Sequence, residues 1–535
     1  MEAKEFNLLE EPWIRVITPE LEQKEVSLIE ALVYSHTYKE LSGEMPTQDA
    51  AILRVLLAVV ETIFYRYTVD GEEEELSEEN DSDIVDVLER WRDYWDKQSF
   101  PEEIIRKYLK DCQERFWLFH PDNPFWQVGN LQYGTEYGIE CLLGNIKESN
   151  NKATRHHFSM RDGEELKYLN YAEAARWLIH LNAYAVNLKV DKKAPGPGLP
   201  VGIGKMGQLG FIMVNGENLF QILMLNLCPL KNGIKLWGLP KPVWEKEACR
   251  EQGCKIVSPD NLPELYTIQS RRIMLKRNNE HVTGFRAIGG DFYPVEEEFN
   301  EQMTLWREIV IDKKTKEKKY IPQLHNPEIY AWRELPTMFQ ENKKYIPGII
   351  QWLNVLKKEH KDILKFVTFR TIGIVYGDKM NYTYGDCVND TVSMSAEMLS
   401  QLDGIWIRVI SEEVEKCQSV AAKAIDHFSS KICKLFYGNG NLKGAIKSKL
   451  AQNYYFSINK GFREWLISII PSESKIEEKR EEWRKQSLLF AKKVVEDYIS
   501  TLDITICYYR EVDKKLLTVS QILNEYYIEL YSIYK

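Results

Sequence analysis

Between Ala194 and Phe220 the chain reads APGPGLPVGIGKMGQLGFIMVNGENLF, and Gly202, Gly204 and Gly207 have the GxGxxG spacing of a dinucleotide-binding turn. That chemistry needs a strand before the first glycine and a helix opening at the last, so that a pyrophosphate meets free N–H groups at the helix N-terminus. Here Pro195, Pro197 and Pro200 come first, which a buried parallel strand does not tolerate, and GFIMV after Gly207 is itself strand-like. The carboxylate expected about 20 residues further on is also lacking, because NGENLFQILMLNL reads as a turn and then a helix. A nicotinamide or flavin oxidoreductase is therefore the weak alternative. Prolines hold a loop open and glycines let backbone lie close to a partner, so the stretch suits contact with a ligand or groove, or else a plain surface connection.

Other residue types that could do chemistry are dispersed. Nine cysteines show no CxxC, and Cys249 and Cys254 have the wrong spacing for a zinc knuckle, so neither a disulfide framework nor a metal site is expected. His156 and His157 are adjacent but have no HExxH or HNH-like company, which argues against a metal-dependent nuclease. Basic clusters stand at QSRRIMLKR, KVDKK and NNKATRHH. The net charge of −10 excludes indiscriminate coating of nucleic acid while leaving room for a local basic footprint.

The elements that must carry these residues change character along the chain. PWIRVIT reads as a strand, TQDAAILRVLLAVVETIFYRY as a buried helix that Thr47 can cap, and YLNYAEAARWLIHLNAYAV as an amphipathic helix. GFIMV, LYTIQ and WREIVI read as strands. From about Ser393 come four long helical periods with short joints, the pattern of an antiparallel four-helix bundle. The expected fold class is α+β: a large, mixed, helix-rich N-terminal domain with small antiparallel sheets over residues 1–392, then a C-terminal four-helix bundle over 393–535. No apolar run is long enough for a bilayer and the start lacks an export signal, so a cytoplasmic protein is expected.

Four separated stretches carry a resemblance: FNLLEEPWIRV (Phe6 to Val16), HPDNPFWQ (His120 to Gln127), AEAARWLI, and LYTIQSRRIML (Leu265 to Leu275). Together, in order and spacing, they resemble the CasA family, the large subunit of the type I-E CRISPR Cascade complex. The resemblance implies a subunit that is not an enzyme and uses no cofactor. It implies reading of the protospacer-adjacent motif in duplex DNA through the minor groove, promotion of duplex opening, and recruitment of a separate helicase-nuclease in antiviral defence. Its partners would be the other Cascade subunits, the 5′ handle of the guide RNA and the target duplex, with one copy per complex and a monomer when isolated. A protein scaffold that reads no DNA is the alternative.

Carried onto this sequence, the family's glycine loop falls on Pro195, Gly196, Pro197 and Gly198, and its basic finger near Arg271 and Arg272, where the family's reference residue is a lysine. The wedge that opens the first base pair falls on Lys379, Met380 and Asn381 in IVYGDKMNYTYG. Met380 stands where familiar relatives have an amide, which implies an apolar wedge and an altered tag preference. A further loop, NNKATRHHFSMRD, places Phe158 against the guide handle or the tag-reading face, with Lys152, Arg155, His156 and His157 available to phosphate.

Overall fold

The computed structural model describes residues 4–77, 83–144, 167–186, 202–247, 251, 253–294, 300–312, 317–340, 342–377, 380, 383–402, 404–437, 441–502, 509–512 and 515–535. The chain divides into two compact units. One comprises Met1–Ile329, Asn342–Lys361 and Thr368–Thr391; the other comprises Tyr330–Glu341, Asp362–Val367 and Val392–Lys535. The C-terminal helices thus take in two short stretches from before residue 392, which helical period along the chain does not reveal.

In the first unit, β1 (Ile14–Ile17) lies between β2 (Gln23–Val26) and β3 (Glu40–Leu41) in an antiparallel sheet. Then comes α1 (Pro46–Arg66). It begins with Pro46 and has Met45 at the N-cap, so the expected cap at Thr47 is not used. Proline fits the first turn because its missing N–H has no helical partner there, and the Thr47 hydroxyl instead meets His180 Nε2 at 3.0 Å. Most of α1 is buried, polar residues included. The Arg54 guanidinium pairs with the buried Glu301 and lies 4.5 Å from the Tyr266 ring centre.

Two further sheets and one helix position the segments of interest. β4 (Thr135–Gly138) is an edge strand, and α2 (Tyr171–Tyr184) starts at a capping box in which Asn170 and Glu173 satisfy each other's backbone N–H groups. Arg176 of α2 is wholly buried, donating to Glu44, to Glu25 and to the Trp13 carbonyl. β5 (Phe211–Asn215) comes after it. LYTIQ is not a strand: Leu262–Tyr266 is a short helix capped by Asn261, with Pro263 in its first turn. The strand β6 (Arg271–Asn278) begins later and pairs antiparallel with β7 (His281–Gly289), which in turn pairs with β4. The last sheet has the order β9–β8–β5, where β8 is Phe366–Tyr376 and β9 is Thr383–Ser395.

The second unit is built from helices. α3 (Ile405–Ser419) runs through a π-helical turn, Val420–Ala424, into α4 (Ile425–Tyr437). α5 (Lys443–Ile467), α6 (Ile476–Ser500) and α7 (Val519–Ile533) complete four rods, with α4 packed on α5 and α7, and α5 on α6. The core between them is aromatic: Trp483 lies 5.0 Å from Phe462 and 5.6 Å from Trp465, ring centre to ring centre. Trp332, from one of the recruited stretches, is fully buried in this unit, stacked on Phe462 at 4.2 Å and donating to Asn459 Oδ1 at 3.0 Å. Burying such a ring stabilises by about 2–3 kcal/mol before its hydrogen bond is considered.

Candidate nucleic-acid interface

The glycine spacing at Gly202 to Gly207 resolves into a close approach of two chain segments. Gly204 N–H donates to the Ala185 carbonyl at 2.8 Å, just past the end of α2. A Cβ at Gly204 would sit 2.4 Å from the Ala183 carbonyl oxygen, so only glycine lets the two backbones meet there. Beyond it the chain makes a 3₁₀ turn, Met206–Gln208, and then enters β5, which pairs antiparallel with β8. The helix that a dinucleotide turn requires is replaced by a strand, which rules out the oxidoreductase reading of this motif.

Around this junction other parts of the fold hold each of the two segments. Tyr376 Oη donates to the Tyr184 carbonyl at 2.9 Å, and Ser270 Oγ donates to the Asn182 carbonyl at 2.5 Å. Lys205 holds its ammonium 3.4 Å from the centre of the Tyr293 ring. The expected groove-contacting residues Pro195, Gly196, Pro197 and Gly198 lie outside the described residues.

The expected basic finger requires correction. Arg271 and Arg272 open β6 and each is only 3% exposed. Arg272 donates to Asp291 Oδ1 at 2.7 Å and to the Gln269 carbonyl at 3.1 Å. Arg271 donates to the Ser270 carbonyl at 2.8 Å, to the Gly202 carbonyl, and in a longer contact of 3.5 Å to the Val186 carbonyl. Among the described residues it has no carboxylate partner and its Nε finds no acceptor; burial holds its pKa down to about 10. As folded, neither guanidinium reaches solvent as a finger must. The rest of the cluster is also paired: Lys276 and Arg286 both bind Glu136, whose carboxyl they hold down to about 2, and Arg277 binds Glu5 at 2.5 Å.

At the expected wedge, Met380 lies in the connection between β8 and β9. Its side chain is 43% exposed, its φ is +55°, and its N–H donates to the Gly377 carbonyl at 3.0 Å. Lys379 and Asn381 lie outside the described residues, as do Lys152, Arg155, His156, His157 and Phe158. On α6, Lys479, Arg484 and Lys485 pair with Glu482 and Glu481 along the same helix, and Arg480 pairs with Glu412. Among the described residues no group of three His, Cys, Asp or Glu could hold a metal ion, and no helix is long and apolar enough to cross a membrane.

Residues 7–493 match the profile of the family described as CRISPR-associated protein Cse1 (CRISPR_cse1). The chain belongs to the CRISPR-associated protein Cse1 family. The resemblance drawn from four short stretches therefore holds. A Cse1-family relative from Thermus thermophilus, called CRISPR-associated protein CasA/Cse1, is 24% identical over 449 residues, which is 81% of this chain and 79% of the relative. The crystal structure of Thermobifida fusca Cse1 has a TM-score of 0.81 to this chain at 25% identity, covering 99% of this chain and 98% of that one. A chain solved in a CRISPR RNA-guided surveillance complex shares the fold with a TM-score of 0.71 at 15% identity, covering 98% of this chain and 99% of its own length.

Missed from the sequence were the buried contacts of Arg271 and the close backbone approach at Gly204. The glycine spacing was the available signal: it marks close backbone approach within the protein.

Proposed function

We propose that this chain is the large subunit of a Cascade-type surveillance complex and reads the protospacer-adjacent motif of target duplex DNA. The observation that carries the reading is the end-to-end correspondence of fold with a chain of such a complex, on top of family membership. Guide pairing reads the target sequence in this arrangement, so the protein need read only a short tag and deform the duplex.

Pro195 to Gly198 would lay backbone against the minor-groove edge, where A·T and T·A pairs look alike and discrimination is coarse. Met380, with Lys379 and Asn381, would wedge into the first base step; an exposed apolar side chain on a strand connection suits unstacking. Phe158 would stack on the guide handle, with Lys152, Arg155, His156 and His157 on phosphate. The opened duplex and this subunit's surface would then receive the helicase-nuclease in trans, and no catalytic residue is assigned to the chain itself.

The test is a titration of tagged and tag-scrambled duplex against guide-loaded complex, with and without this subunit, at several salt concentrations. Tighter binding only of the tagged duplex, with log affinity falling by roughly 0.9 per neutralised phosphate against log salt, is expected. Equal tightening of both duplexes would make the chain a scaffold or clamp and refute the tag-reading role.

A further inference from the structure

In HPDNPFWQ the chain makes a tight turn, closed by the Gln127 N–H on the Pro124 carbonyl at 3.1 Å, and Trp126, third in that turn, has φ +51°. Glycine or asparagine takes such a position readily and a bulky side chain does not, so the surroundings hold the tryptophan there. Its ring lies against Phe125 with centres 5.4 Å apart; Phe125 stacks on Phe116 at 5.4 Å, and Phe116 meets Trp244 at 5.2 Å. Beside these rings is a small cavity lined by Arg115, Phe125, Trp126, Gln127, Trp244 and Gln269, among others. Trp126 is 6% exposed and Gln269 5%, yet among the described residues neither the Trp126 Nε1–H nor the Gln269 Oε1 has a hydrogen-bond partner.

The rest of this wall is engaged elsewhere. Gln127 donates to the Leu118 carbonyl at 2.7 Å and accepts from the Leu275 N–H at 2.9 Å, and Arg115 donates to the Lys246 and Val243 carbonyls. A buried donor or acceptor left unmet is destabilising by its whole desolvation penalty, so the cavity favours an occupant that meets both. Its room is about 10 Å³, which admits one water molecule and nothing as large as a side chain or a nucleobase. The two open groups are of opposite sense, a donor on Trp126 and an acceptor on Gln269. An anion would satisfy only the first and a cation only the second, whereas water accepts from one and donates to the other.

We infer that this cavity is a binding site for a single water molecule, which accepts from Trp126 Nε1 and donates to Gln269 Oε1. The bridge ties the strained turn to the segment that opens β6, where the Gln269 carbonyl already accepts from Arg272 at 3.1 Å and from the Asp291 N–H at 3.0 Å. It stands independently of any role in DNA reading.

The experiment is a crystal structure of the full chain, grown with bromide and measured at the bromine absorption edge. Melting temperatures are taken beside it for Trp126→Phe, Gln269→Met and the double variant. One density peak about 2.7–3.2 Å from both Nε1 and Oε1, without anomalous signal, is expected. Each single change strands one buried polar group and should lower the melting temperature by roughly 1–3 °C. The double change removes both ends of one bridge and should lose no more than the larger single loss. An anomalous peak in the cavity makes the occupant an anion and overturns the inference. So does a cavity without density, a direct bond between Nε1 and Oε1, or additive losses in the double variant. Should a variant not fold, the crystal of the parent chain decides alone.

Discussion

Replacing Glu61 by glutamine tests whether a charge-free carboxyl is built into the centre of α1. Glu61 is 5% exposed, and its one donor among the described residues is the Cys228 N–H, 2.8 Å from Oε1. Burial pushes its pKa from an ordinary 4.5 up to about 8, so at neutral pH it is protonated when folded and ionised when unfolded. The folded state therefore binds the extra proton between pH 4.5 and 8, and stability from this group is present below that window and lost as pH rises through it. At about 1.4 kcal/mol per unit, the cost at pH 7 is about 3 kcal/mol, growing to about 5 kcal/mol above pH 8. Glutamine keeps the acceptor for Cys228 and never ionises. Thermal unfolding of Glu61→Gln and the parent chain across pH 4.5 to 8.5 should show near equality at the acid end and a widening advantage for the variant. For a unit of this size that is about 1 °C per kcal/mol, hence roughly 3–4 °C at pH 7. A difference in melting temperature that does not change with pH, or a variant that falls behind at pH 8, would refute the burial of a neutral carboxyl at this position.

The same geometry sets other outcomes. Arg54→Leu leaves Glu301 buried without its partner, and urea unfolding of the first unit should lose about 3–5 kcal/mol; the double change with Glu301→Leu should recover most of it. Gly204→Ala places a methyl against the Ala183 carbonyl, and faster amide exchange at the last turn of α2 is expected with overall folding retained. Met380→Asn suits the left-handed backbone better than methionine does, because asparagine tolerates that region. It should leave melting temperature unchanged or slightly raised while altering which tags permit opening, read by a fluorescent base analogue at the first pair.

Much of the scaffold was legible because helical period is local. The amphipathic period of YLNYAEAARWLIHLNAYAV announces α2, the four C-terminal rods arise from apolar periodicity, and β1 from its short extended apolar run. The misses were decided elsewhere in the chain. LYTIQ has strand-forming residues, but the Asn261 cap and Pro263 before it set a helical turn first. Thr47 looked like a cap by its type alone, but Pro46 opens the helix ahead of it with Met45 at the N-cap and no side-chain cap. Arg271 and Arg272 read as exposed cations because nothing near them in sequence shows that Asp291 and the Gly202 carbonyl fold back onto them. Types reveal what a side chain can bond; only tertiary structure says which way it faces.

Trp332 puts a timetable into the synthesis of the protein. Its socket on Phe462 and Asn459 is completed by helices made long after it. At roughly 5–20 residues per second, the ribosome delivers Phe462 about 6–26 s after Trp332. Through that interval a large apolar ring waits for its partner, a natural client for a holdase. The same dependence means that the C-terminal helices cannot be exchanged between relatives as a cassette cut at residue 392 unless the Tyr330–Glu341 stretch travels with them.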